Sequence, residues 1–386
     1  MIEASHASDW GRRATALAAK LTGAGVRIDP CWRAPIEQTP RHLFVPRFYR
    51  DDDTIVDGAD PATAGEWLDA VYSDTSLVVQ CAIAPGTNLP FPTSSSTMPS
   101  LMIRMLHLLD VIDSSSVLEI GTGTGYNTAL LCHRLGADHV ASIELHPSLA
   151  ADAADRLRSL AYEPTLQVGD GACGLPDHAP YDKIIATCAV PAIPPAWIDQ
   201  LSPGGRIVTD LRGELASSLA ILDKVAPDTV QGRLLDLPGH FMWLRSTAED
   251  PLPNVGRFNL MIDLNDAVTT GTDLDPRMLD EPGLRVLLSI AEPNLGPITH
   301  TQREGHDIWW LRADNCWAEI TTSASTTVTH GGPRNIWTSV ECVAAEWQRI
   351  GRPKRGRYGL TASADGTHHY WLDQPSRLLL ADIAYT

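Results

Sequence analysis

The chain has 386 residues, of which 44% are hydrophobic and 20% are charged, and its formal net charge is −17. This length and balance indicate a globular protein of two or three domains, with a core that needs no disulfide or metal to hold it. The negative field repels phosphate backbones, so we expect no nucleic-acid partner.

The cysteines and the hydrophobic runs further limit the class of protein that this sequence can encode. No CxxC occurs among the seven cysteines, which are Cys31, Cys81, Cys132, Cys173, Cys188, Cys316 and Cys342. The odd count favours reduced thiols in a cytoplasmic protein over a disulfide framework, and we expect no metal site. The stretch MIEASHASDWGRR has no apolar core behind a basic start, so we expect no signal peptide. No run approaches the roughly 20 apolar residues of a bilayer span, so we expect no membrane partner.

The first hundred residues predict a helical segment followed by short strands and loops. An amphipathic helix is predicted over about Trp10 to Gly23, and a second helical piece ends in the run Pro40–Pro46. Residues 51–66 are acidic and rich in turn formers, which indicates an exposed loop. Residues 1–100 are therefore predicted to form an N-terminal segment beside the main domain.

The pattern changes after Ser116, where short apolar runs alternate with helical stretches. The apolar runs are Val117–Ile120, Val140–Ile143, Thr165–Val168, Lys183–Thr187 and Arg206–Asp210. This alternation predicts βαβ units in a doubly wound, Rossmann-like α/β sheet spanning residues 101–245. The rhythm stops near residue 246, and we predict an added C-terminal α+β domain over 246–386. A tryptophan-rich core is the expected use of its aromatic residues, with an aromatic peptide groove as the alternative.

The sharpest local signal is VLEIGTGTGY at residues 117–126, an apolar strand that runs through a glycine-rich turn into a helix. Glycines let the backbone approach a ligand closely, and a helix N-terminus offers free N–H groups. Glu144 and Asp170 end the next two predicted strands, where carboxylates accept hydrogen bonds from ribose hydroxyls. The spacing GxGxG suits an adenosine group without a pyrophosphate. A dinucleotide site and a loop that only packs a helix on a strand are the alternatives.

Several further stretches make the chain similar to the protein-L-isoaspartate O-methyltransferase family. They occur in family order, as Pro40–Pro46, Tyr72–Asp74, the Ser/Thr-Pro segment ending at Pro99, VLEIGTGTGYNTALL, Ser142–Glu144, Gly169–Gly171, Ala179–Thr187 and Leu201–Val208. The resemblance implies that S-adenosyl-L-methionine is the cofactor and S-adenosyl-L-homocysteine the product. It implies cofactor contacts from Glu119, Gly121, Thr122, Gly123, Gly125, Tyr126, Asn127, Glu144, Leu145, Gly169, Asp170, Gly171 and Thr187.

The resemblance also places the acceptor side of the site. The family has a Thr-Ile-Ser-x-Pro segment beside the transferred methyl group, and alignment on Pro99 gives Ser95-Ser96-Thr97-Met98-Pro99 here. Thr97 keeps the family's hydroxyl, whereas Ser96 replaces its isoleucine and departs from the repair-enzyme pattern. We predict catalytic-site hydroxyls from Thr97, Ser95 and Ser96, with a flexible polar loop as the alternative. The predicted substrate-binding residues are His42, Val45, Ser94, Met98 and Cys188.

The chain is longer than a housekeeping repair enzyme, and its additional region resembles methyltransferases of graspetide and lanthipeptide clusters. That resemblance implies a ribosomal precursor peptide, already cyclised, as partner, with an aspartate carboxylate methylated and then closed to an aspartimide. General isoaspartate repair is the alternative, and a peptide-binding subunit with a vestigial fold is a third hypothesis. A basic run lies in either a solvated loop or a docking site for an acidic peptide, and comprises Arg349, Arg352, Lys354, Arg355 and Arg357.

Overall fold

The computed structural model describes residues 9–83, 90–247 and 267–379. The helices are α1 (Trp10–Gly23), α2 (Pro30–Gln38), α3 (Arg41–Phe44), α4 (Ala64–Val71), α5 (Pro99–Leu109), α6 (Tyr126–Leu135), α7 (Pro147–Ser159), α8 (Pro195–Gln200), α9 (Pro282–Ala291) and α10 (Ile336–Arg349). The first nine strands are β1 (Arg47–Tyr49), β2 (Ile55–Asp57), β3 (Leu77–Ile83), β4 (Pro90–Ser96), β5 (Val117–Ile120), β6 (Val140–Glu144), β7 (Thr165–Val168), β8 (Tyr181–Val190) and β9 (Leu201–Arg212). The other nine are β10 (Ser217–Ala226), β11 (Thr229–Leu234), β12 (Val268–Gly271), β13 (Thr299–Arg303), β14 (His306–Ala313), β15 (Cys316–Thr322), β16 (Thr326–Gly331), β17 (Tyr358–Ser363) and β18 (His368–Leu372).

A nine-stranded sheet in the order β18-β17-β11-β10-β9-β8-β5-β6-β7 forms the centre of the molecule. The five strands from β5 to β9 pair in parallel, and the others join them antiparallel. Buried side chains from alternate positions of these strands enter two different hydrophobic clusters, one on each face. The predicted doubly wound α/β sheet is therefore confirmed, because both faces of a parallel sheet must be covered.

The order of the strands reverses between β5 and β8. The chain moves outward from β5 through β6 to β7, then crosses back to place β8 on the other side of β5. Ligands of open α/β sheets bind in the crevice that such a reversal leaves at the carboxyl ends of the strands. The turns after β5, β6 and β8 therefore form the expected site.

The N-terminal segment packs against one face of this sheet. Helix α1 buries Ala14, Leu17, Ala18 and Leu21, the one-sided spacing that its sequence predicts. Strands β2, β1, β3 and β4 form a separate antiparallel sheet in that order. Its last strand, β4, ends in Ser94-Ser95-Ser96, which we call the serine run, and these residues line the crevice.

The predicted C-terminal domain is joined to the central sheet instead of standing apart. Strands β12 to β16 form their own five-stranded sheet, but β17 pairs with β11 and β18 pairs with β17. One hydrophobic cluster also runs without a break from the central strands into α9, α10 and β14 to β16. The boundary predicted at residue 246 therefore does not divide the core, and residues 248–266 lie outside the described ranges.

Two hypotheses about the C-terminal region are decided by its packing. Five of its tryptophans are buried, namely Trp309, Trp317, Trp337, Trp347 and Trp371, so they form core and no groove. In the basic run, Arg355 donates a hydrogen bond to the Ser217 carbonyl at 2.8 Å and Arg357 pairs with Asp373 at 2.7 Å. These two cations are engaged within the fold, which argues against a docking site for an acidic peptide.

Within the described ranges, none of the helices combines the length and apolarity that crossing a membrane requires.

Candidate functional site

The glycine loop after β5 turns in a way that only glycine adopts readily. Gly121, Gly123 and Gly125 have φ values of +90°, +54° and +88°, in the region where a side chain strains the backbone. A Cβ on Gly123 would lie 3.7 Å from the Ser94 hydroxyl oxygen. The glycine loop and the serine run thus face each other with no side chain from Gly123 between them.

The loop is braced by polar groups from neighbouring strand ends. The Gly123 N–H donates to Glu144 Oε2 at 2.8 Å, and the His146 N–H donates to Oε1 at 3.1 Å. From β8, the Thr187 hydroxyl donates to the Gly121 carbonyl at 2.7 Å and to the Ile120 carbonyl at 3.2 Å. The ends of β5, β6 and β8 are therefore held in one fixed arrangement.

A bulge in β8 places Thr187 in that position. The pairing with β9 jumps from Ile185 with Val208 to Ala189 with Asp210. Strand β8 therefore has extra residues in the bulge, where the strand order of the sheet reverses. Bulges re-aim side chains and are common beside functional sites. Cys188, the next residue, lies in the same bulge, and burial raises the pKa of its thiol well above the usual range.

The serine run is held from behind by a buried arginine. Arg41 is 1% exposed and donates through Nη2 to the Ser96 hydroxyl at 3.3 Å and to the Thr97 carbonyl at 3.1 Å. It also donates to the carbonyls of Val71, Ser73 and Thr75 at 2.7, 3.2 and 3.2 Å. Serine in place of the family's isoleucine at position 96 thus has a structural reason. The Ser96 hydroxyl accepts a hydrogen bond from the Arg41 guanidinium, and an isoleucine side chain could not accept one.

A segment after β11, residues 239–245, closes the remaining side. The Ala189 N–H donates to the Met242 carbonyl and the Leu244 N–H donates to the Ala189 carbonyl, both at 2.8 Å. The Ser217 hydroxyl donates to the buried Asp210 carboxylate at 2.7 Å and accepts from the N–H groups of Gly239 and His240. This segment is therefore fixed to β8 and to the start of β10.

These walls enclose a cavity of about 330 Å³, within the usual range of ligand sites, ~300–1,000 Å³. Its lining includes the predicted residues Ser94, Ser95, Ser96, Thr97, Glu119, Gly121, Thr122, Gly123, Tyr126, Asn127, Glu144, Leu145, Gly171, Thr187 and Cys188. Residues far apart in sequence thus meet around one space, as the strand reversal requires.

Three of the predicted cofactor contacts lie beside the wall instead of in it. Gly125 is the N-cap residue of α6, and a Cβ there would lie 3.1 Å from that of Ala153. The Gly169 N–H donates to the Glu144 carbonyl at 2.9 Å. The Asp170 carboxylate accepts from the Ala172 N–H at 2.8 Å and caps the turn that holds Gly171 in the lining.

Three of the predicted substrate contacts, His42, Val45 and Met98, do not line the cavity. Val45 is fully buried in the N-terminal cluster, and its carbonyl accepts from the Trp67 indole at 2.7 Å. The His42 Nδ1 pairs with the Tyr72 hydroxyl at 2.8 Å, and burial lowers the His42 pKa. Met98 is the N-cap residue of α5 and packs against a core cluster. The linear family motif could not separate these supporting residues from residues that reach the cavity.

The sequence interpretation missed the segment 239–245 as a wall of the site. His240, Phe241, Met242, Trp243, Leu244 and Arg245 all line the cavity. In the sequence this segment stands out only as part of the additional length, and its density of aromatic and basic residues was the available signal. Its approach to the crevice depends on long-range pairing with β8, which no local pattern carries.

Glu119 is a completely buried ionisable group in the lining. Complete burial raises its pKa to about 7, although hydrogen bonds from Thr128, Asn127 and Ser142 act to lower it. The Asn127 amide donates to Oε1 at 2.7 Å and the Ser142 hydroxyl to Oε2 at 2.8 Å. Glu119 therefore anchors the start of α6 to the ends of β5 and β6, and its protonation is linked to folding.

Replacing Glu119→Gln should change how stability depends on pH. The folded carboxyl keeps its proton up to about pH 7, whereas the unfolded one loses it near the ordinary glutamate pKa of 4.5. The wild type therefore loses stability as the pH rises through this window, and glutamine cannot titrate. The free energy of unfolding of the variant relative to wild type should rise by on the order of 3 kcal/mol between pH 5 and pH 8.

Urea unfolding of the ligand-free proteins at several pH values measures this difference. Glu163→Gln, at an exposed position, is the control and should run parallel to wild type. A Glu119→Gln profile that also ran parallel would show that the carboxyl does not titrate in this window.

The lining fits an adenosine ligand that carries a cationic centre. Asn127 Oδ1 is buried and has no hydrogen-bond partner in the described residues, so it offers an unused polar atom at the cavity. Glu144 supplies a carboxylate at the end of β6, and the left-handed glycines Gly121 and Gly123 line the cavity without side chains. Without a basic P-loop and with a GxGxG turn, this arrangement suits a nucleoside better than a polyphosphate.

Comparison with known proteins gives a consistent family. The model of the family described as "Protein-L-isoaspartate(D-aspartate) O-methyltransferase (PCMT)" matches residues 12–236, more than half of the chain. A protein-L-isoaspartate O-methyltransferase of Roseiflexus castenholzii is 34% identical over 201 residues, covering 52% of this chain and 78% of that protein. Protein-L-isoaspartate O-methyltransferase 1 of Cupriavidus necator is 34% identical over 243 residues, covering 62% and 82%.

A solved structure entitled protein-L-isoaspartate O-methyltransferase has the same fold. It aligns with a TM-score of 0.54 at 21% identity, over 93% of this chain and 99% of its own. At this identity the likeness concerns the fold alone, and it extends past residue 236 into the C-terminal region.

Proposed function

Because this chain belongs to the protein-L-isoaspartate(D-aspartate) O-methyltransferase family, we propose that it methylates the free carboxylate of an L-isoaspartyl residue in a polypeptide. S-adenosyl-L-methionine is the methyl donor of this family. The observation that carries the proposal is the cavity where the strand order reverses between β5 and β8. The glycine loop, Glu144 and the hydroxyl-bearing β4 segment meet there.

The comparisons favour an isoaspartyl substrate over the cyclised precursor peptide expected from the chain's length. The relatives named above carry isoaspartate in their names. The serine run, which suggested a tailoring enzyme, is accounted for in part by the bond from Arg41 to Ser96. Tailoring of a graspetide or lanthipeptide precursor is therefore the narrower hypothesis, to be separated from isoaspartate methylation by assay.

The donor would lie along the glycine loop. The bound donor supplies an electrophilic methyl group on a sulfonium. Gly121 and Gly123 leave the backbone accessible, Glu144 is placed to accept from ribose hydroxyls, and Asn127 Oδ1 is available as an acceptor. Asp170 lies one residue from the lining, consistent with the adenine contact that the family motif implies.

The acceptor side needs alignment more than acid–base chemistry. A side-chain or α-type carboxyl of an aspartyl residue has a pKa of about 3.3–3.9, so the acceptor is already an anion at neutral pH. The Thr97 and Ser95 hydroxyls line the cavity and can donate to that anion. The high pKa of Cys188 keeps its thiol neutral, so it adds no competing anion. Positioning of the reacting groups is the main contribution left to the chain.

Replacing Thr97→Val should separate acceptor positioning from cofactor binding. Valine keeps the shape and removes the hydroxyl, while the backbone carbonyl that accepts from Arg41 remains. We expect turnover to fall by about tenfold to a hundredfold, with the dissociation constant for S-adenosylhomocysteine changed less than twofold. Initial rates and calorimetric titration measure the two quantities, and an equal loss in both would contradict this role.

The proposed function is tested with matched peptides. Purified protein is incubated with labelled S-adenosylmethionine and a peptide containing L-isoaspartate, its aspartate isomer, or a cyclised aspartate-containing precursor. Methyl ester on the isoaspartyl peptide alone supports the proposal. Transfer only to the cyclised precursor would replace it with the tailoring hypothesis, and no transfer to any acceptor together with no binding of S-adenosylhomocysteine would support a vestigial fold.

A further inference from the structure

A second cavity lies directly beside the first and shares part of its wall. It has a volume of about 360 Å³. Trp243 and Leu244 line both cavities, so a single layer of side chains separates them. We call these two residues the partition.

The partition is held in place from both sides. The Leu244 N–H donates to the Ala189 carbonyl at 2.8 Å, which fixes its backbone to β8. The Arg212 guanidinium lies 5.2 Å from the centre of the Trp243 ring and donates to the Phe241 carbonyl. Arg212 is itself a lining residue of the second cavity.

The second cavity is built where the family match ends. Half of its lining residues lie beyond residue 236, among them Val286 and Ile290 of α9 and Tyr370 of β18. The side toward Pro293 and Asn294 is exposed, so the cavity opens to solvent there. It therefore belongs to the C-terminal region as much as to the central sheet.

The chemistry of the lining favours an apolar occupant with a polar attachment. Leucine, isoleucine, valine, proline and tryptophan side chains supply much of the wall. Ser218 is 2% exposed, and its hydroxyl has no hydrogen-bond partner in the described part of the chain. A buried hydroxyl left unpaired costs free energy, and a backbone group of a bound polypeptide would satisfy it.

We propose that the second cavity binds an apolar side chain of the polypeptide substrate, close in sequence to the residue whose carboxylate enters the first cavity. This inference rests on the proposed function, because it takes the acceptor to be part of a polypeptide. Because the two cavities share the partition, a polypeptide with one residue against Thr97 can place a neighbouring side chain in the apolar space on the other side. The C-terminal region would thereby select among acceptor sites by their neighbouring residue.

The test uses peptides with one L-isoaspartyl residue and glycine, leucine or phenylalanine at each position from three before it to three after it. Both kcat/KM for methylation and binding of labelled peptide to the protein with S-adenosylhomocysteine are measured. At one position, leucine or phenylalanine should exceed glycine by about tenfold or more. Equal values at every position would overturn the proposal.

Three variants connect any preference to the cavity. Ile290→Trp, from the helix wall, and Asn294→Trp, at the exposed rim, should each lower the ratio of leucine to glycine peptides to near one. Ala345→Trp, on the exposed face of α10 and outside the lining, should keep it. Retention of the preference in both cavity variants, with S-adenosylhomocysteine still bound, would place the selectivity elsewhere.

Methylation rates and peptide binding together distinguish a failure of the subsite from a failure of the proposed function. Methylation of every isoaspartyl peptide at one rate would leave the proposed function standing and remove the subsite. A residue preference in binding without any methylation would keep the subsite and remove the proposed function.

Discussion

Arg41→Met should lower methyl transfer by about a hundredfold and destabilise the protein by on the order of 3 kcal/mol. The guanidinium donates to four carbonyls, those of Val71, Ser73, Thr75 and Thr97, and to the Ser96 hydroxyl. Methionine fills the space but leaves these acceptors without the guanidinium, and the bonds lost at the Val71 carbonyl and the Ser96 hydroxyl are buried. The β4 end would then shift relative to the glycine loop, and a displacement of about 1 Å is enough to lose two orders of magnitude in rate.

Thermal unfolding and steady-state kinetics with an isoaspartyl peptide measure the two effects. Arg41→Lys keeps the charge but has three donors, so it should recover only part of both losses. Arg33→Met is the control, since Arg33 is half exposed and pairs with Glu37 in an i,i+4 surface bridge. If Arg41→Met retained wild-type activity and stability, the position of the serine run would have to be set by β3 and β4 pairing alone.

Gly121→Ala should weaken binding of S-adenosylhomocysteine by at least about tenfold. Gly121 has a φ of +90°, and an alanine Cβ would lie 2.9 Å from the Thr187 hydroxyl oxygen. The backbone strain costs on the order of 1–2 kcal/mol, and relief of the contact must move either the loop or Thr187. Because Thr187 bonds to the Gly121 carbonyl, both changes distort the same wall of the cavity.

Gly25→Ala separates backbone strain from damage to the site. Gly25 has a similar φ of +82° but no neighbouring atom within 4 Å of a Cβ, and it lies after α1, outside the cavity lining. We expect the control to lose some stability while its affinity for S-adenosylhomocysteine, measured by calorimetry, stays unchanged. Equal affinities for the two variants would mean that the geometry of Gly121 does not govern the ligand.

Most of the central sheet and one wall of the site could be predicted from local sequence. The run around Gly121, Gly123 and Gly125 encodes its own turn, since positive φ at all three positions is the property that glycine provides. Glu144 could be placed because a residue at the end of a parallel strand must lie at the carboxyl edge. These are short-range or periodic properties, which a sequence displays directly.

Other parts of the site could not be predicted from local sequence patterns. His42 and Val45 lie in the family motif but face the N-terminal cluster, because the orientation of a short helix depends on what packs against it. The bulge that aims Thr187 depends on the register between β8 and β9. Neither register nor orientation can be read from composition or spacing alone.

By itself, the sequence determined the fold class, the glycine turn and the carboxylate that follows β6, since each follows from local conformational preference or from strand periodicity. Only the tertiary structure decided that residues 239–245 close the cavity, that Arg41 holds the serine run, and that β17 and β18 extend the central sheet. Each of these depends on contacts between residues distant in the chain. Such contacts form only when the long-range pairing of strands brings those residues together, so no local stretch of sequence encodes them.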